Sequence, residues 1–174
     1  MKHILSERSR MILQNVEVLE EKLNITISNK GRIIIINGSV DDEYFAEKVL
    51  GAINFGFSID EALTLKDEDN IFQVINIKEF SNTSNLERVR GRIIGTRRKT
   101  LKSIETLTNC ILVLKNNQIG IIGNNEEVEN AIRALSSLIK GAKTANVYAY
   151  LEKHHPAPIT DYGLKPKKRK KTKA

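Results

Sequence analysis

Apolar residues recur along this chain at two spacings, and each change of spacing marks an element. From Ser9 to Leu23, the residues Ile12, Val16, Leu19 and Leu23 fall on one helical stripe, which Asn24 ends. Ile25 and Ile27 then alternate with Thr26 and Ser28, the period of a half-buried strand. Asn29-Lys30-Gly31 reads as a turn and Arg32 to Asn37 as a second strand. Gly38-Ser39 opens a helix with Asp41, Asp42 and Glu43 in its first turns, where the helix dipole favours negative charge. Phe45, Val49 and Ile53 form its stripe, with Leu50 beside it, and Gly56 stops it. Ser58-Ile59-Asp60-Glu61 predicts a capping box for a short helix through Leu65. After a polar connection from Lys66 to Asn70, Phe72 to Phe80 predicts a strand.

The second half repeats this order at one fixed offset. Leu19-Glu20 falls on Ile104-Glu105, Ile25 and Ile27 on Cys110 and Leu112, and Ile34, Ile36 and Gly38 on Ile119, Ile121 and Gly123. Ala46, Leu50, Ile53 and Gly56 fall on Ala131, Leu135, Leu138 and Gly141 without a gap. Asn124 to Gly141 reads as a helix with Val128, Ile132, Leu135 and Ile139 as its stripe. Thr144 begins a last one carrying Val147, Tyr148 and Leu151. The expectation is two copies of a small α+β unit, each a three-stranded sheet with helices on one face. Only Met1 to Leu5 is available for the first copy's leading strand.

The stretch from Leu86 to Thr108 reads as a helix, a glycine turn and a second helix. Between Arg88 and Lys102 stand Arg88, Arg90, Arg92, Arg97, Arg98, Lys99 and Lys102, with no Asp or Glu. Gly95-Thr96-Arg97-Arg98 forms the turn. The opening of a helix carries free N–H groups and a positive dipole end, so glycine and arginine there suit a phosphate chain. A solvated basic face is the bland alternative, and the absence of intermixed acids argues against it.

Charge sharpens this reading. The formal charge of +7 conceals a neutral body, because Lys165 to Ala174 alone carries seven positive charges. Residues 1 to 80 sum to −5 and residues 81 to 164 to +5. One basic half and a basic tail suggest an oriented polyanion partner. The tail, beyond Pro156 and Pro158, is expected to be disordered and self-repelling. It suits sequence-independent RNA affinity.

Other chemistries find little support. A single cysteine, Cys110, excludes an intramolecular disulfide or a cysteine-based zinc site, and its apolar setting predicts a buried thiol. His154 and His155 are adjacent at a helix end without clustered partners, so no catalytic or metal residue is assigned. Neither a paired carboxylate nor a nucleophile constellation appears. Five Phe, four Tyr and no Trp argue against an aromatic stacking platform, and Tyr148 and Tyr150 are assigned to helix packing. With no signal peptide and no apolar run near the ~20 residues of a membrane span, a soluble, cytoplasmic protein without cofactor is expected.

A strand, helix, glycine turn, helix, strand, strand and helix resemble a type I KH domain, whose loop clamps four nucleotides. Gly91-Arg92-Ile93-Ile94-Gly95, Lys99-Thr100, Ile104-Glu105, Thr108 and Ile119 to Gly123 resemble one family in particular. It is the Partner-of-Nob-One or Dim-Two family of two-KH proteins of small-ribosomal-subunit biogenesis, with its Krr-One relatives. Gly56-Phe57-Ser58, Glu61-Ala62-Leu63, Leu65 and Asp69 resemble the segment joining its two KH units. The short chain is similar to the archaeal form.

The resemblance implies tandem KH domains at 1–70 and 71–155 and a basic tail at 156–174. It implies RNA contact at Arg88, Arg90, Gly91, Arg92, Ile94, Gly95, Thr96, Arg97, Arg98, Lys99, Thr100 and Lys102. Ile93, Ile94, Ile111 and Val113 are candidates for an apolar groove beside the loop. Two departures stand out. Arg98 occupies the loop's last position, where the family has Gly. The offset also places Arg10-Met11-Ile12-Leu13, without glycine, at the first copy's loop. The implied function is non-enzymatic: a monomer that binds single-stranded small-subunit rRNA near its 3′ end during pre-rRNA processing. It also implies contact with the PIN-domain endonuclease that trims that end. The alternatives are a protein-interaction scaffold with degenerate KH units, or a tandem-KH cofactor of translation or RNA decay.

Overall fold

A computed structural model of the protein describes residues 1–154; His155 and the basic tail expected at 156–174 lie outside the described residues. The first half runs β1 (Lys2–Leu5), α1 (Ser9–Gln14), α2 (Val16–Leu23), β2 (Thr26–Lys30), β3 (Ile33–Asn37), α3 (Val40–Phe55) and α4 (Ile59–Leu63). A 3-10 turn over Thr64–Lys66 leads out of it. The second half runs β4 (Asn70–Asn76), α5 (Ile77–Phe80), α6 (Leu86–Ile94), a loop, α7 (Lys99–Thr108), β5 (Ile111–Lys115), β6 (Gln118–Asn124), α8 (Asn125–Lys140) and α9 (Thr144–His154). Each half contains one antiparallel sheet of three strands, in the orders β1-β3-β2 and β4-β6-β5. The fold is α+β and KH-type.

Local chemistry sets these boundaries. The Ser39 hydroxyl accepts from the Asp42 N–H at the start of α3, and Ser58 and Glu61 form a complete capping box at α4. Asn124 caps α8 by accepting from the Glu126 N–H. Hydrogen bonds from the Ser39 hydroxyl and the Asn24 amide hold the Asp42 carboxyl below its ordinary range. From the second strand of each half onward, the starts of β2 and β5, β3 and β6, α3 and α8, and α4 and α9 all keep the repeat's offset.

The leading strands break that register. Lys2 pairs with Ile36, whereas Ile121, the repeat of Ile36, pairs with Gln73. Shifted back by the repeat's offset, Gln73 would fall before Met1. The first half is therefore the shorter one between its first strand and its second helix. The single helix expected from Ser9 to Leu23 is two helices, broken at Asn15 (φ −123°), whose amide donates to the Met11 carbonyl. Arg10 to Leu13, expected to form a loop, are helical, because no chain remains for a separate loop. The strand expected to run to Phe80 ends at Asn76, whose side chain accepts from the Lys78 N–H and opens α5.

Two apolar cores result. Ile12, Leu19, Ile34, Ile36, Leu50 and Ile53 lie at the centre of one; Ile93, Ile104, Leu112, Ile119, Ile121 and Leu135 lie in the other. The second sheet's outer face is also covered. Ile122, Phe72, Ile111 and Val113 pack into the first core, with Phe55 and Phe57 among their partners. Phe72 meets Phe55 and Phe57 edge to face, at 5.9 and 5.6 Å between ring centroids. A Cβ at Gly120 would lie 2.6 Å from the Phe55 ring and 2.8 Å from Phe57, so only glycine lets these rings reach the sheet. Phe57 is wholly buried there, a contribution of about 2 kcal/mol. In the first sheet the matching positions on β2 and β3 include Thr26, Ser28 and Asn37, which face solvent.

Candidate nucleic-acid interface

The helix α6 ends because Gly95 takes φ 69°, ψ 173°, a conformation open to glycine but strained for other residues. Its N–H still donates to the Gly91 carbonyl, and the Arg98 N–H closes the turn onto the Gly95 carbonyl at 3.2 Å. A Cβ on Gly95 would fall 2.2 Å from the Thr100 hydroxyl, so α7 can start against the loop only with glycine there. Arg97 (φ 53°) and Arg98 (φ 61°) both adopt the left-handed conformation. Arg98 thus keeps the backbone geometry of a glycine at the loop's last position while adding a side chain. It provides no side-chain cap, so the first turn of α7 opens onto the loop.

Thr96, Arg97, Arg98 and Lys99 are exposed, as are Arg88, Gly91 and Lys102. Among the described residues, the side chains of Arg88, Arg97, Arg98, Lys99 and Lys102 make no ion pair or hydrogen bond. Two other candidates are committed to the fold. The Arg90 guanidinium donates to the Asn117 side chain in the β5–β6 turn at 3.2 Å, and Arg92 donates to the Ala142 carbonyl at 2.7 Å. They hold α6 against the rest of the second half. A Cβ at Gly91 would meet nothing within 4 Å, so no protein contact demands glycine there.

Beside the loop lies a cleft of about 590 Å³. One wall comes from Ile94, Arg98, Leu101 and Glu105 on α6, the loop and α7, with Leu112, Val113 and Leu114 from the edge strand β5. The opposite wall comes from the first half: Arg8, Met11, Gly56, Ser58 and Glu61. Arg8 is held there by donating to the Ile53 and Phe57 carbonyls, at 3.1 and 3.3 Å. Of the four groove candidates, Ile94 and Val113 line this cleft. Ile93 is buried in the second core, and Ile111 packs toward the first.

Sequence reading missed Leu101, Glu105, Leu112 and Leu114 on the near wall and the whole opposite wall. The repeat contained a signal for Glu105, because Glu20 falls on it. For the opposite wall it contained none, since those residues belong to the other half of the chain. Cys110 is buried as expected. Burial pushes its thiol up to about 11, and the thiol donates to the Thr108 carbonyl at 3.4 Å. Among the described residues, no group of three His, Cys, Asp or Glu could hold a metal ion. None of their helices is long and apolar enough to cross a membrane.

A glycine-ended helix, a basic loop and a second helix, packed on a three-stranded antiparallel sheet, define a KH-type fold. Residues 71–156 match the Eukaryotic type KH-domain (KH-domain type I) in the form of the second KH domain of PNO1. The second half carries this domain, and the chain as a whole is similar to KH proteins of the PNO1/Dim2 kind. It is 33% identical over 109 residues to a KH domain-containing protein of Methanocaldococcus jannaschii, covering 62% of this chain and 48% of that one. It is 30% identical over 141 residues to the pre-rRNA-processing protein pno1 of Emericella nidulans, covering 76% and 55%. The chain thus spans about half the length of these two relatives. Among solved structures, Dim2p of Pyrococcus horikoshii superposes with a TM-score of 0.77 at 25% identity, covering 87% of this chain and 98% of that one. A second structure from that organism, a complex of a/eIF2alpha, aDim2p and rRNA, superposes at 0.78 and 25% identity, covering 88% and 93%.

Proposed function

We propose that this chain is a non-enzymatic RNA-binding factor of small-ribosomal-subunit maturation, built as tandem KH domains at 1–70 and 71–155. The observation that carries the reading is the loop Gly95–Arg98. It presents Arg97, Arg98 and Lys99, free of protein partners among the described residues, beside a cleft whose near wall carries Ile94, Leu101, Leu112, Val113 and Leu114. Phosphates bind at the loop and the start of α7, and unstacked bases enter beside Ile94 and Val113. Arg88, Thr96, Thr100 and Lys102 extend the contact along α6 and α7, while Arg90 and Arg92 position α6.

The names of the similar proteins support placing this activity in pre-rRNA processing, and the rRNA complex of the Pyrococcus protein supports rRNA as the ligand. The partner RNA is a single-stranded segment near the 3′ end of the small-subunit rRNA. The PIN-domain endonuclease that trims this end is the protein partner, and the chain acts as a cytoplasmic monomer. In this division the second KH domain holds RNA. The first braces it and supplies the far wall of the cleft, because its own helix pair is too short for a loop.

Ultraviolet crosslinking in cells followed by sequencing tests the reading. Reads concentrated at the 3′ end of the small-subunit rRNA are expected. Scattered messenger RNA reads, or no RNA, would overturn it.

A further inference from the structure

A second groove lies on the other flank of α7. It has a volume of about 380 Å³ and is lined by Lys99, Lys102, Ser103, Thr106, Leu107, Tyr148 and Glu152. Leu101 and Glu105 of α7 face the cleft described above, whereas Lys102, Ser103 and Thr106 face this groove. The loop is the saddle between them, and Lys99 belongs both to its basic cluster and to the groove's lining. Leu107 and Tyr148 supply an apolar wall that is only partly buried against the second core. Neither lysine has an ion-pair partner among the described residues.

We propose that this groove is a further nucleotide subsite, into which an RNA strand passes after crossing the loop. The inference rests on the RNA-binding reading above and extends its footprint. Its size falls in the range of pockets that take ligands as large as a nucleoside. Lys99 and Lys102, one turn apart on α7, suit the phosphates on either side of that nucleotide. Tyr148 offers a ring to the base, and stacking of this kind accepts any base because each has a π face. Glu152, the one acid among the lining residues, repels phosphate and suits an amino group on a base edge. Charge and continuity with the loop both favour a nucleic-acid strand over a protein segment. Sequence reading assigned Tyr148 to helix packing, and its partial burial shows that packing uses only part of the side chain.

The test is fluorescence anisotropy on the full chain with random-sequence ribonucleotide pools, one of tetranucleotides and one of heptanucleotides. Two variants are compared with wild type. Tyr148→Leu keeps an apolar side chain against the core and removes the ring. Thr106→Glu puts a carboxylate on the exposed rim and leaves the core untouched, so it serves even if the first fails to fold. The expected result is that wild type binds the heptanucleotides more tightly than the tetranucleotides. Each variant should lose about tenfold on the longer pool and leave the shorter unchanged. Heptanucleotide affinities equal to wild type in both variants would overturn the subsite and leave the groove to an acidic peptide. No binding of either pool by wild type would overturn the RNA reading itself, and this inference with it.

Discussion

The carboxylate of Glu105 accepts a hydrogen bond from the backbone N–H of Leu112 at 3.1 Å, tying α7 to the free edge of β5. The first half repeats the contact at the matching positions, where Glu20 accepts from Ile27 at 2.6 Å. Strands β2 and β5 are both sheet edges, so these N–H groups have no neighbouring strand to bond. Leu112 is nearly inaccessible to water, and losing its acceptor leaves a buried donor unmet. Glu105→Ala should therefore destabilise the protein by about 1–2 kcal/mol in urea unfolding. Glu105→Gln, which keeps an acceptor oxygen, should lie close to wild type. Equal losses in the two variants would show that charge, not the hydrogen bond, matters.

Arg98 sits at φ 61°, where a Cβ is strained and glycine is not. Arg98→Gly should raise stability by up to about 1 kcal/mol, less whatever the freer unfolded chain takes back. The urea midpoint should rise with an unchanged slope. A lower midpoint would mean that the Arg98 side chain contributes more than its backbone costs.

Replacing Arg97, Arg98 and Lys99 together by Ala should weaken single-stranded RNA binding while leaving stability within about 0.5 kcal/mol, since all three are exposed. If each holds one phosphate, the slope of log K against log salt should flatten by about 2. Unchanged affinity at physiological salt would sink the loop as the binding site. In the wild type, amide NMR during RNA titration should move Gly91 to Lys102 and β5 and leave Arg10 to Leu13 nearly still. Larger shifts in α1 would reverse the proposed division between the halves.

Cys110 holds its proton to about 11 because burial disfavours the thiolate. Below pH 9, folded and unfolded chains both hold the proton, and the thiol adds no pH dependence. Between pH 9 and 11 the unfolded chain releases it first, so stability should fall across that window by as much as about 3 kcal/mol from this group. Cys110→Ala should lack this part of the alkaline loss. Alkylation at neutral pH should be slow in the native protein and fast in urea. Rapid native labelling would show that the site opens without global unfolding.

Much of this fold could be read from neighbour spacing. Helix and strand periods are set by residues within a turn or two of one another. Ile27 and Ile36, or Val128 and Leu135, therefore declared their elements, and the repeat declared the second copy. The basic loop was legible for the same reason: Gly95 and its arginines are nearly consecutive. The break at Asn15 was not legible, because Ile12, Leu19 and Leu23 keep helical spacing in the sequence and are all buried across the break. The shortening of the first half emerged only from strand pairing, which aligned Lys2 with Ile36. Only the tertiary structure decided what faces what. Phe55 and Phe57 reach the sheet because Gly120, in the other half of the chain, has no side chain to stop them. That contact brings Arg8, Met11 and Glu61 opposite Ile94 and closes the cleft. It also leaves Tyr148 on the far flank of α7 beside Lys99 and Lys102. Docking depends on shape and polarity matched across long sequence separations, which no local period records.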